Sequence, residues 1–137
     1  MAAAVDRLGD AFASGEPDLV LSEFAPDGEV MYAGSETGEL AVGRPALRTL
    51  LTELFGRQER YRWRCSSVHV VETAHGAFVV ADATLTVLTV GEDGAALAGS
   101  GEESFPYRVS GVLERSQGDW RWRCCQGSEP LRSTASP

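Results

Sequence analysis

His69 and Asp82 are the residues of this sequence whose types and spacing best suit acid–base chemistry. If the two-residue segment His75-Gly76 turns the chain between two strands, His69 lies directly opposite Asp82, with Cβ atoms about 4.5–5.5 Å apart. The carboxylate could then orient the imidazole through a hydrogen bond and leave its other nitrogen free as a general base. In the alternative interpretation, the same pair lies on the outer face of the sheet and only stabilises it.

Aromatic and small polar residues at alternating strand positions form a second candidate site, an apolar cup with a few polar tips. A wall of this composition suits a planar or polycyclic small molecule. A tyrosine such as Tyr32 or Tyr107 could donate a hydrogen bond to a developing oxyanion. The alternative is that the aromatic rings simply fill the core. The predicted ligand-binding lining comprises Tyr32, Trp63, Tyr107, Trp122, Cys124 and Gln126.

Several other chemistries lack their motifs in this chain. It has no phosphate-binding loop, dinucleotide fingerprint, zinc-ligand spacing or nucleophile elbow. It has only two histidines, and its three cysteines, Cys65, Cys124 and Cys125, lack a metal-ligand spacing. We therefore expect no metal, no cofactor, and buried thiols that stay reduced in a cytoplasm.

The element that must position the cup is a long hairpin, Pro106–Pro130, which turns at Gln117-Gly118. A glycine-containing pair between two alternating runs predicts a two-residue turn. The resulting register sets Glu114 opposite Arg121, an opposite-charge pair, and turns the aromatic side inward. It also sets Arg115 opposite Trp120, Leu113 opposite Trp122, Gly111 opposite Cys124 and Val109 opposite Gln126.

The residues before the hairpin predict three helices and three strands. Apolar residues at helical spacing and the placement of proline and glycine indicate helices over Ala2–Ala13, from Pro17, and over Pro45–Phe55. Alternating residues indicate strands over Glu29–Ala33, Tyr61–Thr73 and Ala77–Val90. Ser35–Glu39 is predicted to be an acidic loop, and Gly91–Gly101 a mobile rim.

Short motifs in the hairpin resemble the C-terminal signature of SnoaL-like proteins, in the nuclear-transport-factor-2-like superfamily. The resemblance implies an α+β fold, in which a cone-shaped, curved antiparallel sheet receives N-terminal helices in its concave face. Members include polyketide cyclases, ketosteroid isomerases and kinase association domains. The family often has histidine where this chain has Cys124 and Gln126, so chemistry carried by those imidazoles does not transfer. The matching residues are Arg108, Ser110, Gln117-Gly118, Trp120-Arg121 and Ser128-Glu129-Pro130.

Length and charge limit the classes of partner. The 137 residues suit one domain, predicted over residues 1–130, with a frayed tail over 131–137. The net charge of −8 argues against nucleic acid or an anionic membrane, because both need a basic face. No stretch is long and apolar enough for a membrane span, and the N-terminus lacks a signal peptide's features. We expect a cytoplasmic bacterial protein.

Two classes of function remain open at this stage. The first is a non-catalytic domain that binds a hydrophobic small molecule in the cup. The second is an isomerase- or cyclase-type enzyme that transfers a proton on a small hydrophobic carbonyl or polyketide-like substrate. The missing histidines favour the first, whereas a usable acid–base pair would favour the second. The resemblance also implies a homodimer formed through the outer face of the sheet.

Overall fold

The computed structural model describes residues 1–91 and 103–131, which form three helices and six strands. Apart from Gly91, the predicted rim Gly91–Gly101 lies outside this part of the chain. Apart from Leu131, so does the predicted tail 131–137. The helices are α1 (Ala2–Ser14), α2 (Pro17–Ser22) and α3 (Arg44–Phe55), and the strands are β1 (Met31–Ala33), β2 (Leu40–Val42), β3 (Glu59–Glu72), β4 (Ala77–Thr89), β5 (Glu103–Ser116) and β6 (Asp119–Ser128).

The six strands form one sheet in the order β2-β1-β6-β5-β4-β3. Every neighbouring pair is antiparallel except β1 and β6, which run parallel. The helices cover the concave face of this curved, open sheet, which confirms the α+β cone. Strand β2 was not predicted, because its three residues are too short for an alternating pattern to identify.

Helix α1 lies along β3 and closes the core on that side. The indole Nε1 of Trp63 donates to the carbonyl of Val5 at 2.9 Å, and the backbone N–H of Cys65 donates to the Asp6 carboxylate at 2.8 Å. Gly15 ends the helix with φ 71°, as predicted from the sequence. These contacts fix the position of Trp63, whose side chain is buried beneath the helix.

The terminal hairpin has the predicted turn but only part of the predicted register. Gln117 and Gly118 both have positive φ, 54° and 85°, and the pairings next to the turn follow the prediction, including Glu114 opposite Arg121. Beyond Leu113 and Trp122, the register shifts by one residue, because Arg123 is an unpaired bulge residue on β6.

The bulge reverses which residues of β6 face inward. Gly111 pairs with Cys125 instead of Cys124, and Val109 pairs with Gly127 instead of Gln126. A side chain at Gly111 would collide with the Cys124 carbonyl oxygen, so glycine is needed where the bulged strand approaches most closely. The predicted inward positions of Cys124 and Gln126 are therefore wrong.

The side chain of Arg123 holds the bulge in place. Its Nε donates to both carboxylate oxygens of Glu114 at 3.2 Å, and its Nη2 donates to one of them at 2.9 Å. Its Nη1 donates to the backbone carbonyls of Asp27 and Glu29 at 2.6 and 2.9 Å. The carboxylate of Glu114 is thus bound by Arg123, although Arg121 is the residue opposite it. Arg123 joins the hairpin to the segment that leads into β1.

The β3–β4 turn contradicts the predicted acid–base pair. The Thr73 hydroxyl accepts hydrogen bonds from the backbone N–H groups of His75 and Gly76, which starts the turn at Thr73. Glu72 then pairs with Ala77, and the register differs by two residues from the predicted one.

His69 consequently lies opposite Val80, while Asp82 lies opposite Ser67. Asp82 accepts hydrogen bonds from the Ser67 hydroxyl at 3.3 Å and from Arg108 Nε at 3.2 Å. His69 is exposed on the outer face of the sheet. Within the described residues, no hydrogen bond joins it to Asp82, which is bound by Ser67 and Arg108 instead. The predicted catalytic pair of His69 and Asp82 is therefore wrong.

Within residues 1–91 and 103–131, no helix is long and apolar enough to cross a membrane. The same residues contain no group of three or more acidic, histidine or cysteine side chains that could hold a metal ion.

We predict that Arg123→Ala lowers the free energy of unfolding by about 2–3 kcal/mol, because it removes several charge-assisted hydrogen bonds and leaves Glu114 unpaired. Arg121→Ala is the matched control, since the two arginine side chains are 25% and 26% exposed. Within the described residues, the polar contacts of Arg121 are an ion pair with Asp119 and a hydrogen bond to the Trp120 carbonyl. We expect the control to cost less than about 1 kcal/mol. Urea unfolding of both variants measures the difference, and equal losses would contradict the role of Arg123.

Candidate functional site

A cavity of about 210 Å³ lies at one end of the cone, between the sheet, the end of α3 and the loop joining β1 to β2. Its apolar wall comes from α1, α3 and the strands, whereas its mouth carries charged residues. An engineered cavity of about 150 Å³ accepts benzene, so this space suits a ligand of one or two rings. We call it the cone cavity.

Five aromatic rings pack in sequence along the inner wall of the cone cavity. Phe12 lies with its ring centroid 5.4 Å from Tyr32, 6.0 Å from Phe55 and 5.1 Å from Trp63. Trp63 stacks on Tyr107, with 5.7 Å between centroids. Because these rings hold one another from five different elements, the wall is preformed and needs little reorganisation to receive a flat ligand.

Two tyrosine hydroxyls give the apolar wall its polar groups. Burial raises the pKa of Tyr107 well above its usual value, against the smaller opposing effect of a hydrogen bond with the Ser35 hydroxyl. Burial also raises the pKa of Tyr32, with a further contribution from Tyr107. Both hydroxyls therefore remain protonated at physiological pH and can donate hydrogen bonds. Gly127 leaves the space that the Tyr107 hydroxyl occupies, because a Cβ there would collide with it.

Glu39 is a carboxylate of the cavity lining that acts electrostatically on both hydroxyls. Its charge contributes to the raised pKa values of both Tyr32 and Tyr107. One carboxylate oxygen of Glu39 accepts a hydrogen bond from the backbone N–H of Glu36 at 2.9 Å, which orders the β1–β2 loop. A potential proton acceptor thus lines the same cavity as two potential hydrogen-bond donors.

Arg60 is a buried cation in the same wall, with 7% of its surface exposed. Its Nη1 donates to the backbone carbonyls of Arg57 and Glu59 at 2.8 and 3.4 Å, and its guanidinium lies 5.4 Å from the ring centroid of Phe55. The edge that carries Nε faces Gly15, where a Cβ would lie 2.5 Å from that nitrogen. Arg60 therefore closes the gap between β3 and the end of α1.

The structure brings together three of the six predicted lining residues. Tyr32, Trp63 and Tyr107 lie in the wall of the cone cavity. Trp122 is fully buried elsewhere, where its backbone N–H and carbonyl pair with the segment Glu23–Ala25. The remaining two, Cys124 and Gln126, are turned to the outer side by the Arg123 bulge.

Several wall residues were missed by the sequence analysis. Tyr61 precedes Trp63 by two positions, and Phe105 precedes Tyr107 by two positions. Side chains two residues apart share a strand face, so the alternation itself carries the signal for both. By contrast, no local pattern marks Arg60 as buried, because it belongs to a run of arginines that reads as a solvated face.

A family model described as the SnoaL-like domain matches residues 1–132. The chain belongs to the SnoaL-like family. Its sequence matches no curated protein at a significant level.

Solved structures resemble this SnoaL-like protein in fold over nearly its whole length. A nuclear transport factor 2-like superfamily protein from Salmonella enterica has a TM-score of 0.71 and 13% identity, over 96% of this chain and 89% of that one. A candidate dehydratase of the same superfamily from Streptomyces avermitilis has a TM-score of 0.69 and 18% identity, over 95% and 93%. A ketosteroid isomerase-like protein from Erwinia carotovora has a TM-score of 0.66 and 20% identity, over 95% and 93%. At these identities the similarity establishes the fold alone.

Proposed function

We propose that this SnoaL-like protein binds a small aromatic or hydrophobic molecule of one or two rings in the cone cavity. The observation that carries the proposal is the cavity itself, an aromatic wall that leaves about 210 Å³ empty. Apolar walls with a few convergent polar groups are the usual form of small-molecule sites. The hydroxyls of Tyr32 and Tyr107 supply these groups and would orient a polar substituent on the ligand. Its three free cysteines suit the reducing cytoplasm in which we propose that it works.

Filling the cavity tests this proposal. Val87 lines the cavity and is partly buried, so we expect Val87→Trp to weaken the binding of naphthylmethanol at least tenfold. Tyr107→Phe should weaken it about three- to tenfold through the loss of one hydrogen bond. Binding is measured by isothermal titration calorimetry, with circular dichroism to establish that each variant is folded.

Val70→Trp is the control, because Val70 is 38% exposed and lies outside the cavity wall. We expect it to bind the probe as the unmodified protein does. Absence of naphthylmethanol binding to the folded unmodified protein would contradict the proposal.

A second candidate function is proton transfer next to a carbonyl group, and the position of Glu39 favours it. In this scheme the Glu39 carboxylate takes a proton from the carbon next to the carbonyl, and the resulting enolate oxygen accepts a hydrogen bond from Tyr107. The same proton, or one from water, then returns to carbon. Neutral tyrosine donors in a buried wall are suited to stabilise the negative charge that develops on oxygen.

Deuterium exchange into indanone, a two-ring ketone, tests this second candidate. If the scheme holds, the protein accelerates exchange in heavy water, and Glu39→Gln reduces the acceleration about a hundredfold. Glu72→Gln removes an equal charge from an exposed position outside the cavity and should leave the rate unchanged. Nuclear magnetic resonance follows the exchange. If indanone binds but its deuterium exchange is no faster than in buffer, the proton-transfer scheme is wrong and ligand binding remains the proposed function.

We further propose that two copies pair through the outer face of the sheet. One row of registered residues crosses all six strands on this face, and every member is apolar or a cysteine. Four members are between 43% and 66% exposed: Met31, Val42, Val71 and Phe78. The row, which we call the outer row, consists of Val42, Met31, Cys124, Val112, Phe78 and Val71.

The charges beside the outer row suit pairing of identical surfaces. An ion pair of Arg108 with Asp82 lies four residues from the row on β4 and β5, and the pair of Arg123 with Glu114 lies on its other side. Each flank carries both signs, so a twofold axis through the row can set opposite charges against each other. Burying the row in a second copy would remove its exposed apolar side chains from water.

We predict that Phe78→Glu converts the dimer to a monomer, because it places a charge within the apolar outer row. Thr89→Glu adds the same charge at the exposed end of the same strand and should leave the dimer intact. Sedimentation velocity at micromolar concentration distinguishes the two states. A monomeric unmodified protein at this concentration would contradict the proposed pairing.

A further inference from the structure

The mouth of the cone cavity has an excess of negative charge. Two arginines also lie there, Arg57 and Arg60. The carboxylates outnumber them, and Glu39 is the least exposed of the set because it lies in the β1–β2 loop beside the tyrosines. The five carboxylates are those of Glu36, Glu39, Glu59, Glu103 and Glu129.

Both arginines are already engaged by the protein. Arg57 lies 3.7 Å from the Glu36 carboxylate. Arg60 gives Nη1 to two backbone carbonyls and sets its guanidinium over the ring of Phe55, while its Nε is buried towards Gly15 and forms no hydrogen bond within the described residues. A ligand anion would therefore have to compete with Glu36 for Arg57, and with two backbone carbonyls for Nη1 of Arg60.

Most of the carboxylates are, by contrast, available to a ligand. Among residues 1–91 and 103–131, Glu39, Glu59, Glu103 and Glu129 form no ion pair. They surround an opening whose inner wall consists of aromatic rings. Aromatic faces attract cations through their negative quadrupoles, and a carboxylate at the edge of such a wall adds a direct charge partner.

We infer that the cone cavity selects organic cations, namely one- or two-ring ligands that carry a protonated amine, with Glu39 as the counter-ion of the amine. This inference rests on the proposed binding function and deepens it. The ring system of the ligand packs against Trp63 and Tyr107, while the ammonium group points to the mouth. A carboxylate ligand of the same shape meets the acidic mouth instead and binds more weakly.

Three probes with one ring system separate charge from shape: naphthylmethylamine is a cation at neutral pH, naphthylmethanol is neutral and naphthoate is an anion. Calorimetric titration at low ionic strength should show the amine binding at least tenfold more tightly than naphthoate. The ratio of the affinity for the amine to that for naphthoate, which we call the amine's advantage, should fall at about 0.15 M salt. The reason is that the mouth is exposed to solvent.

Two variants test the assigned counter-ion. Glu39→Gln keeps an oxygen that can accept the hydrogen bond from Glu36 and removes the charge, so we expect the amine's advantage to fall below threefold. Glu72→Gln changes the net charge of the protein equally at an exposed site outside the cavity and should keep the advantage. An unchanged advantage in Glu39→Gln, or equal loss in both variants, would overturn the assignment.

The probes also distinguish failure of this inference from failure of the binding function. If naphthylmethanol binds and naphthylmethylamine binds no more tightly than naphthoate, the selection for cations is wrong and the binding function stands. If none of the three probes binds the folded protein, the proposed binding function fails and the selection for cations fails with it.

Discussion

The Arg123 bulge is the constraint on which the rest of this structure depends. Three hydrogen bonds to Glu114 and two to the carbonyls of Asp27 and Glu29 fix the one residue of β6 that has no partner on β5. The bonds to the two carbonyls also hold the segment before β1 beside β6. Tyr32 consequently pairs with Cys125 on the neighbouring strand and reaches the inner wall.

The same bulge determines what each face of the sheet presents. It turns Gly127 inward, where the absence of a side chain leaves room for the Tyr107 hydroxyl, and turns Cys124 outward into the outer row. The concave face thereby carries the cone cavity, and the convex face carries the outer row through which we propose that two copies pair. One inserted residue thus links the shape of the cone cavity to the composition of the outer row.

The sequence predicts those parts of the fold that repeat or that use strongly biased residues. Helical spacing of leucines identifies α3, and Gln117-Gly118 identifies the terminal turn with its first pairings. The two errors of register come from side-chain hydrogen bonds that periodicity does not reveal. One is the Thr73 hydroxyl, which moves the β3–β4 turn; the other is Arg123, whose partners Asp27 and Glu29 are distant in sequence.

These two register errors account for the failures of the predicted site at His69, Asp82, Cys124 and Gln126; Trp122 keeps its predicted pairing but is buried away from the cavity. A shift by two residues separates His69 from Asp82, and a shift by one residue removes Cys124 and Gln126 from the wall. Tyr32, Trp63 and Tyr107 lie where unshifted alternation places them. Glu39 was not predicted to line the cavity with Tyr32 and Tyr107, because the position of the β1–β2 loop follows only from the assembled sheet.

The reactivity of the adjacent thiols tests the bulge most directly. Cys125 is 3% exposed, and burial raises the pKa of its thiol well above the usual value, so the thiolate that reacts with labelling reagents does not form. Cys124 is only partly buried on the outer face. Labelling of the folded Phe78→Glu variant, which leaves the outer row uncovered, with a thiol reagent and peptide mass spectrometry should modify Cys124 and leave Cys125 unmodified until the protein is unfolded. Protection of Cys124 with modification of Cys125 would show that β6 continues without the bulge and would contradict this account.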